Sequence, residues 1–260
     1  MTEAKRKANK MFDLQGKNAI VVGGAGDLGS SMLEALGEAG AKIVLVGRGE
    51  KTVRLAEAYQ SEGLAVTPVL ADISERTQVE RSFEEALGAL DGRVDILVNA
   101  AGIQRRHFSE EFPLQDWDDV LEINLTVSFM YCQLAARNMI FQGRGKIINV
   151  ASMLSYFGGY TVPAYAASKG GVAQMTKALA NEWAGKGLNV NAIAPGYMDT
   201  KMNVKIVNDP SRNAEILARI PQHRWGNGED MKGATLFLAG SGSDYVNGVI
   251  LPVDGGYLGR

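Results

Sequence analysis

The chain has 260 residues, 46% hydrophobic and 22% charged, which excludes wholesale disorder and allows one large domain or two small ones. Its 27 basic and 29 acidic residues leave a formal net charge of -2, so no global field recruits nucleic acid or an anionic membrane. One cysteine, Cys132, excludes an intramolecular disulfide, and two histidines, His107 and His223, are too few for a multi-histidine site, so no metal is expected.

Taken in chain order, the first ten residues are polar and basic and read as a flexible tail (1–10) rather than a signal peptide. Short β-branched runs follow at 18–23, 42–47, 65–71, 94–100, 146–151, 189–194 and 249–253. Several are apolar at consecutive positions, the pattern of strands covered on both faces. Segments of helical period lie between them at 28–39, 51–62, 77–90, 114–138, 164–186 and 230–239. The alternation predicts an α/β fold: one doubly wound, Rossmann-type parallel sheet of about seven strands with helices on both faces. No linker or composition shift divides 11–260, which reads as a single domain. The stretch 197–222 breaks the rhythm, as a substrate lid or binding loop would, with a solvated surface excursion as the alternative. No window is apolar enough to span a membrane, and the expected compartment is the cytoplasm.

Chemistry-bearing residues gather at the carboxyl ends of these strands. The first strand runs into VVGGAGDLG, where a glycine turn at Gly23, Gly26 and Gly29 would bring backbone N–H groups to a pyrophosphate at a helix N-terminus. The second strand ends in Gly47-Arg48 rather than a carboxylate that would bind ribose hydroxyls, and the guanidinium suits a 2′-phosphate. NADP(H) is therefore favoured, with NAD(H) the alternative. Tyr165 and Lys169, four apart in a helical segment, share a face, and Ser152 lies just past a strand end.

Together these residues resemble the short-chain dehydrogenase/reductase family, from the first strand to the C-terminus. The family's TGxxxGxG is matched at Gly23 and Gly29, with Val22 for its Thr and Asp27 for its middle Gly. Asp27 either faces the phosphates or caps the helix and points away; a cap suits aspartate better. The resemblance implies a cofactor site of Gly23, Gly26, Asp27, Leu28, Gly29, Arg48, Asp72, Ile73, Asn99, Ala100, Ala101, Gly102, Tyr165, Lys169, Pro195, Gly196 and Thr200. It also implies a catalytic tetrad of Asn124, Ser152, Tyr165 and Lys169, in which Asn124 holds a water that relays protons to Lys169. Read as a bare residue, Asn124 is a satisfied core amide. The family's habit of pairing its long helices between subunits implies a homotetramer, or at least a dimer.

A tyrosine of pKa about 10 is too weak a base near neutrality. An ammonium about 4 Å away contributes roughly 4 kcal/mol at an effective dielectric of 20, enough to bring Tyr165 to about 7. Ser152 would orient the substrate oxygen.

Within the family, GIQRR, VPAYAASKGGV, NVNAIAPGYM and RIPQHRWG resemble the sugar-acid dehydrogenases, acting on gluconate/5-ketogluconate or 2-dehydro-3-deoxy-D-gluconate types. The expected partner is thus a small sugar acid, contacted by Arg105, Ser152, Tyr165 and Tyr197, with Met198 and Met202 on the apolar side of the lid. Arg105 is expected to bind the carboxylate, whereas Arg106 stands between that role and solvent, His107 reads as a surface residue and Arg224 as structural. The alternatives are a 3-oxoacyl thioester reductase, for which Arg105-Arg106 would be a carrier-protein contact, and a non-catalytic dinucleotide-sensing module.

Overall fold

The computed structural model describes residues 10–260, so the expected tail lies outside the described residues but for Lys10. Seven parallel strands form one sheet in the order β3-β2-β1-β4-β5-β6-β7. They are β1 (Asn18–Val22), β2 (Lys42–Gly47), β3 (Val66–Leu70), β4 (Ile96–Asn99), β5 (Gly145–Val150), β6 (Leu188–Pro195) and β7 (Ile250–Val253). The helices are α1 (Asp27–Glu38), α2 (Glu50–Ser61), α3 (Arg76–Ala89), α4 (Leu114–Leu121), α5 (Val127–Gln142), α6 (Pro163–Trp183), α7 (Val204–Val207), α8 (Pro210–Arg219) and α9 (Glu229–Ala239).

Strand β1 explains why its sequence is continuously apolar. All five residues are buried, but successive side chains enter opposite layers. Ile20 and Val22 pack with Val79 and Phe83 of α3, Tyr131 of α5 and Leu179 and Trp183 of α6. Ala19 and Val21 pack with Met32 and Leu33 of α1, Tyr59 of α2 and Met231 and Leu238 of α9. The strand order reverses between β1 and β4, and a sheet of this type binds ligands at the carboxyl edge of that switch point.

Two expected elements differ in detail. The helix expected over 114–138 is interrupted: residues Glu122–Thr126 form one π turn between α4 and α5. Asn124 sits in that turn, and its side chain is tied to the Ile103 backbone, so a long-range partner widens the helix locally. The irregular stretch 197–222 holds α7 and α8. Asp209 starts α8 by accepting from the Ser211 and Arg212 N–H groups, each at 3.1 Å, with Pro210 at the first helical position. Among the described residues no helix is long and apolar enough to cross a membrane.

Candidate active site

The carboxyl end of β5 leads into Ser152, and the start of α6 carries Tyr165 and Lys169 on one face. The structure brings all three to one place. Ser152 is buried, and its hydroxyl accepts the Leu154 N–H at 3.1 Å. Ser155, which sequence reasoning missed, joins the loop to the helix: its hydroxyl accepts the Ser152 N–H at 3.3 Å and donates to the Lys169 carbonyl at 2.7 Å. The signal was a hydroxyl three residues after Ser152, a capping-box spacing.

Lys169 is 3% exposed; its Nζ donates to the Val150 carbonyl at 2.6 Å and lies 5.7 Å from the Tyr165 ring centroid. Burial pulls its pKa down to about 8. The expectation that Lys169 brings Tyr165 to about 7 is corrected here. Burial pushes the Tyr165 hydroxyl above its ordinary value, opposed by the Ser152 hydroxyl and the Arg106 guanidinium. The physical reason is that desolvation penalises both charged forms, and the ammonium is directed at a backbone carbonyl.

Asn124 is fully buried and its amide is used on both sides. Oδ1 accepts the Ile103 N–H at 2.8 Å, while Nδ2 donates to the Ile103 carbonyl and the Ser168 hydroxyl, each at 3.0 Å. The side chain is thus a satisfied core amide that holds the loop after β4 beside α6. A Cβ on Gly102 would lie 3.3 Å from Asn124 Oδ1 and 3.6 Å from Lys169 Nζ, so glycine keeps the space between them open.

Ser152 and Tyr165 face a cavity of about 640 Å³ that Tyr197, Met202 and α8 close on the far side. Of the adjacent pair it is Arg106, not Arg105, that lines it, together with Arg212 and Arg219 of α8. Arg105 turns the other way, to Asp116 at 3.4 Å, where His107 Nε2 also meets that carboxylate at 2.6 Å. The sequence assignment of Arg105 to the substrate is therefore corrected: consecutive loop residues point apart, and Asp116 captures the first. Met198 likewise leaves the lid for the core, 3% exposed. Arg224 is structural, as expected, pairing with Asp230 through two 2.7 Å hydrogen bonds.

The dinucleotide groove is tested by its backbone. Gly23 has φ +77°, and a Cβ there would lie 2.5 Å from the Ala101 backbone, so the turn and the Asn99–Gly102 segment meet main chain to main chain. Helix α1 has Gly26 as its N-cap and no side-chain capping bond, which leaves first-turn N–H groups for an anion. The residues fit a dinucleotide. Asp27 is the first residue of α1 rather than its cap: its carboxylate accepts the Lys201 N–H at 2.7 Å, tying the turn to the base of the lid beside Thr200. Asn99 turns its amide into the protein, donating to Asn149 Oδ1 at 2.9 Å, so only its backbone faces the groove. Leu28, Ile73, Ala100 and Ala101 pack partly against the two cores, and Pro195 ends β6, with the N–H of the following Gly196 donating to the Val253 carbonyl.

At the tip of β2, a Cβ on Gly47 would lie 2.6 Å from Thr52 Oγ1, so the position of the absent carboxylate is sterically closed. Arg48 is 79% exposed and reaches Asp72 Oδ2 at 3.3 Å. Asp72 also accepts the Ser74 N–H and hydroxyl, and these contacts hold its carboxyl below the ordinary range. Lys51, absent from the sequence reading, donates to the Ala25 carbonyl in the glycine turn.

The sequence profile of the short chain dehydrogenase family matches residues 17–211. The 2-dehydro-3-deoxy-D-gluconate 5-dehydrogenase of Bacillus subtilis is 45% identical over 249 residues, 96% of this chain and 97% of its own. The gluconate 5-dehydrogenase of Gluconobacter oxydans is 37% identical over 250 residues, 95% and 96% of the two chains. A crystal structure of a gluconate 5-dehydrogenase from Burkholderia cenocepacia, in complex with NADP and tartrate, superposes with a TM-score of 0.93 at 39% identity, covering 97% of this chain and 99% of that one. The chain belongs to the short-chain dehydrogenase/reductase family. Its fold and relatives define it as an oxidoreductase.

Proposed function

We propose that the protein transfers a hydride between NADP(H) and a keto/hydroxy sugar acid of the gluconate or deoxy-keto-gluconate type. One observation carries the substrate class: the cavity holding Ser152 and Tyr165 also holds the Arg106 guanidinium, which has no carboxylate partner among the described residues. The names of the relatives, and a relative's complex with the hydroxy acid tartrate, support the same reading. A bound nicotinamide supplies or accepts the hydride. Tyr165 moves the proton to or from the substrate oxygen, which Ser152 orients by a hydrogen bond. Lys169 holds positive charge beneath the ring, and Asn124 fixes the loop and helix around it. Arg106 takes the carboxylate and opposes the burial that raises Tyr165. Tyr197 and the segment 197–222 cover the substrate as a lid within the single domain 11–260. The assay is absorbance of the reduced cofactor with gluconate, 5-keto-D-gluconate and 2-dehydro-3-deoxy-D-gluconate, each with both dinucleotides. No turnover of any acid overturns the proposal. The thioester-reductase alternative calls for a basic pair at the rim, and the engagement of Arg105 by Asp116 favours the sugar-acid reading over it.

NADP(H) is the cofactor we assign, bound at Gly23, Gly26, Asp27, Leu28 and Gly29 with Arg48 on the 2′-phosphate. The exposed Arg48–Asp72 pair contributes about 0–1 kcal/mol and exchanges readily for a phosphate partner. Charge-assisted hydrogen bonds contribute about 1.5–3 kcal/mol, so Arg48→Ala should weaken NADPH binding roughly 10- to 100-fold and leave NADH nearly unchanged. Equal losses for both would mean that Arg48 stacks on adenine and does not read the phosphate.

Leu114 of α4 and Phe129 and Phe141 of α5 are exposed, Phe141 almost fully. We expect these helices to pair between copies in a cytosolic homotetramer, giving four chain masses by light scattering; a monomer at micromolar concentration contradicts it.

A further inference from the structure

We propose that Arg212, on the lid helix α8, takes the substrate carboxylate jointly with Arg106 and so sets a preference for acids over neutral sugars. This rests on the sugar-acid reading and adds a residue from the far wall of the cavity. Four charged side chains line that cavity: Arg106, Arg212, Arg219 and Glu215. Arg219 has a neighbour already, with its guanidinium 4.7 Å from the centroid of the Tyr257 ring. Arg106 and Arg212 have no carboxylate partner among the described residues. They approach from different elements, the loop after β4 and the lid; burial first, and the charge of Arg212 after it, hold the Arg106 pKa below its ordinary value. Glu215 on the same wall pairs with neither guanidinium among the described residues, so the two like charges repel across the cavity; a bidentate carboxylate between them relieves that repulsion and gains charge-assisted hydrogen bonds.

The lid's construction suits this role. The far half of α8 is pinned: Ile216 and, just past the helix, Ile220 pack with Met153 and Tyr257, and the Ala218 carbonyl accepts from the Arg260 Nη1 at 2.8 Å. Its N-terminal turn carries Arg212, with the backbone fixed by the Asp209 cap. The anchored half gives the lid a fixed seat, and the substrate's own charge draws the cationic turn over it. A neutral sugar of equal length would fit the cavity yet leave the two guanidiniums opposed.

The test compares D-gluconate with D-gluconamide, and 5-keto-D-gluconate with its carboxamide, which keep the skeleton and remove the charge. The wild-type enzyme should prefer the acid of a pair in kcat/KM. Arg212→Gln should collapse that acid-to-amide ratio by about 10- to 100-fold, and Arg212→Lys should retain an intermediate ratio. The rise in Tm produced by saturating gluconate should shrink in Arg212→Gln in parallel, a readout independent of turnover. A wild-type ratio carried unchanged into Arg212→Gln overturns the assignment of Arg212 while leaving the sugar-acid reading intact. No acid preference in the wild-type enzyme overturns that reading and the inference together.

Discussion

Tyr165→Phe is expected to lower turnover by roughly 10²- to 10⁴-fold while NADPH binding and Tm change little. The substitution removes one oxygen and keeps the ring against Lys169, so packing changes little. It takes away the proton that must move to or from the substrate oxygen. Burial pushes the phenol pKa up, and the opposing influences of Ser152 and Arg106 do not reverse that direction. At neutral pH the hydroxyl is therefore protonated, ready to donate, and carbonyl reduction should be nearly flat in pH across neutrality. Oxidation needs the phenolate and should rise with pH well past neutrality. Stopped-flow single turnovers in both directions separate the two. More than about a tenth of wild-type turnover in the Phe variant would remove Tyr165 from the mechanism.

Lys169→Met is expected to abolish most activity and, at pH 7, to raise Tm by a few degrees. The lysine is 3% exposed, and burial lowers its pKa from the ordinary 10.5 to about 8. That difference corresponds to about 3 kcal/mol. The unfolded chain binds this proton more tightly than the native state does, so wild-type stability rises with pH between about 8 and 10.5 and falls back to its penalised value below about 8. An apolar side chain of similar length removes that penalty. It leaves the Val150 carbonyl without its donor, which returns about 1–3 kcal/mol, so the net gain is small and positive only at low pH. Thermal melts of both proteins from pH 7 to 10 should show the gap narrowing and then inverting. A variant less stable than wild type at pH 7 would mean that the ammonium is better solvated than its burial implies.

Much of the frame was legible because its causes are local. Continuous apolar runs such as IVLVG mark strands covered on both faces, and the glycine turn, the Tyr165–Lys169 spacing and Ser152 past a strand end mark the active edge. These signals depend on the two-residue period of strands, the 3.6-residue period of helices and the conformational range of glycine. The position of Gly47-Arg48 at a strand tip was readable for the same reason.

What the tertiary structure alone decided depends on partners far along the chain. Arg105 and Arg106 are chemically identical neighbours, and only the Asp116 carboxylate turns one away and leaves the other to the cavity. The π turn at Asn124 exists because the amide finds the Ile103 backbone, twenty-one residues earlier, a contact no helical period announces. Asp27 looked like a helix cap but meets the Lys201 N–H, 174 residues away, which joins the phosphate turn to the lid. The direction of the Tyr165 shift was also set this way, upward by burial. Spacing fixes which charges are neighbours, whereas the direction of a pKa shift depends on how much water the whole fold excludes, and that quantity exists only once the chain has packed.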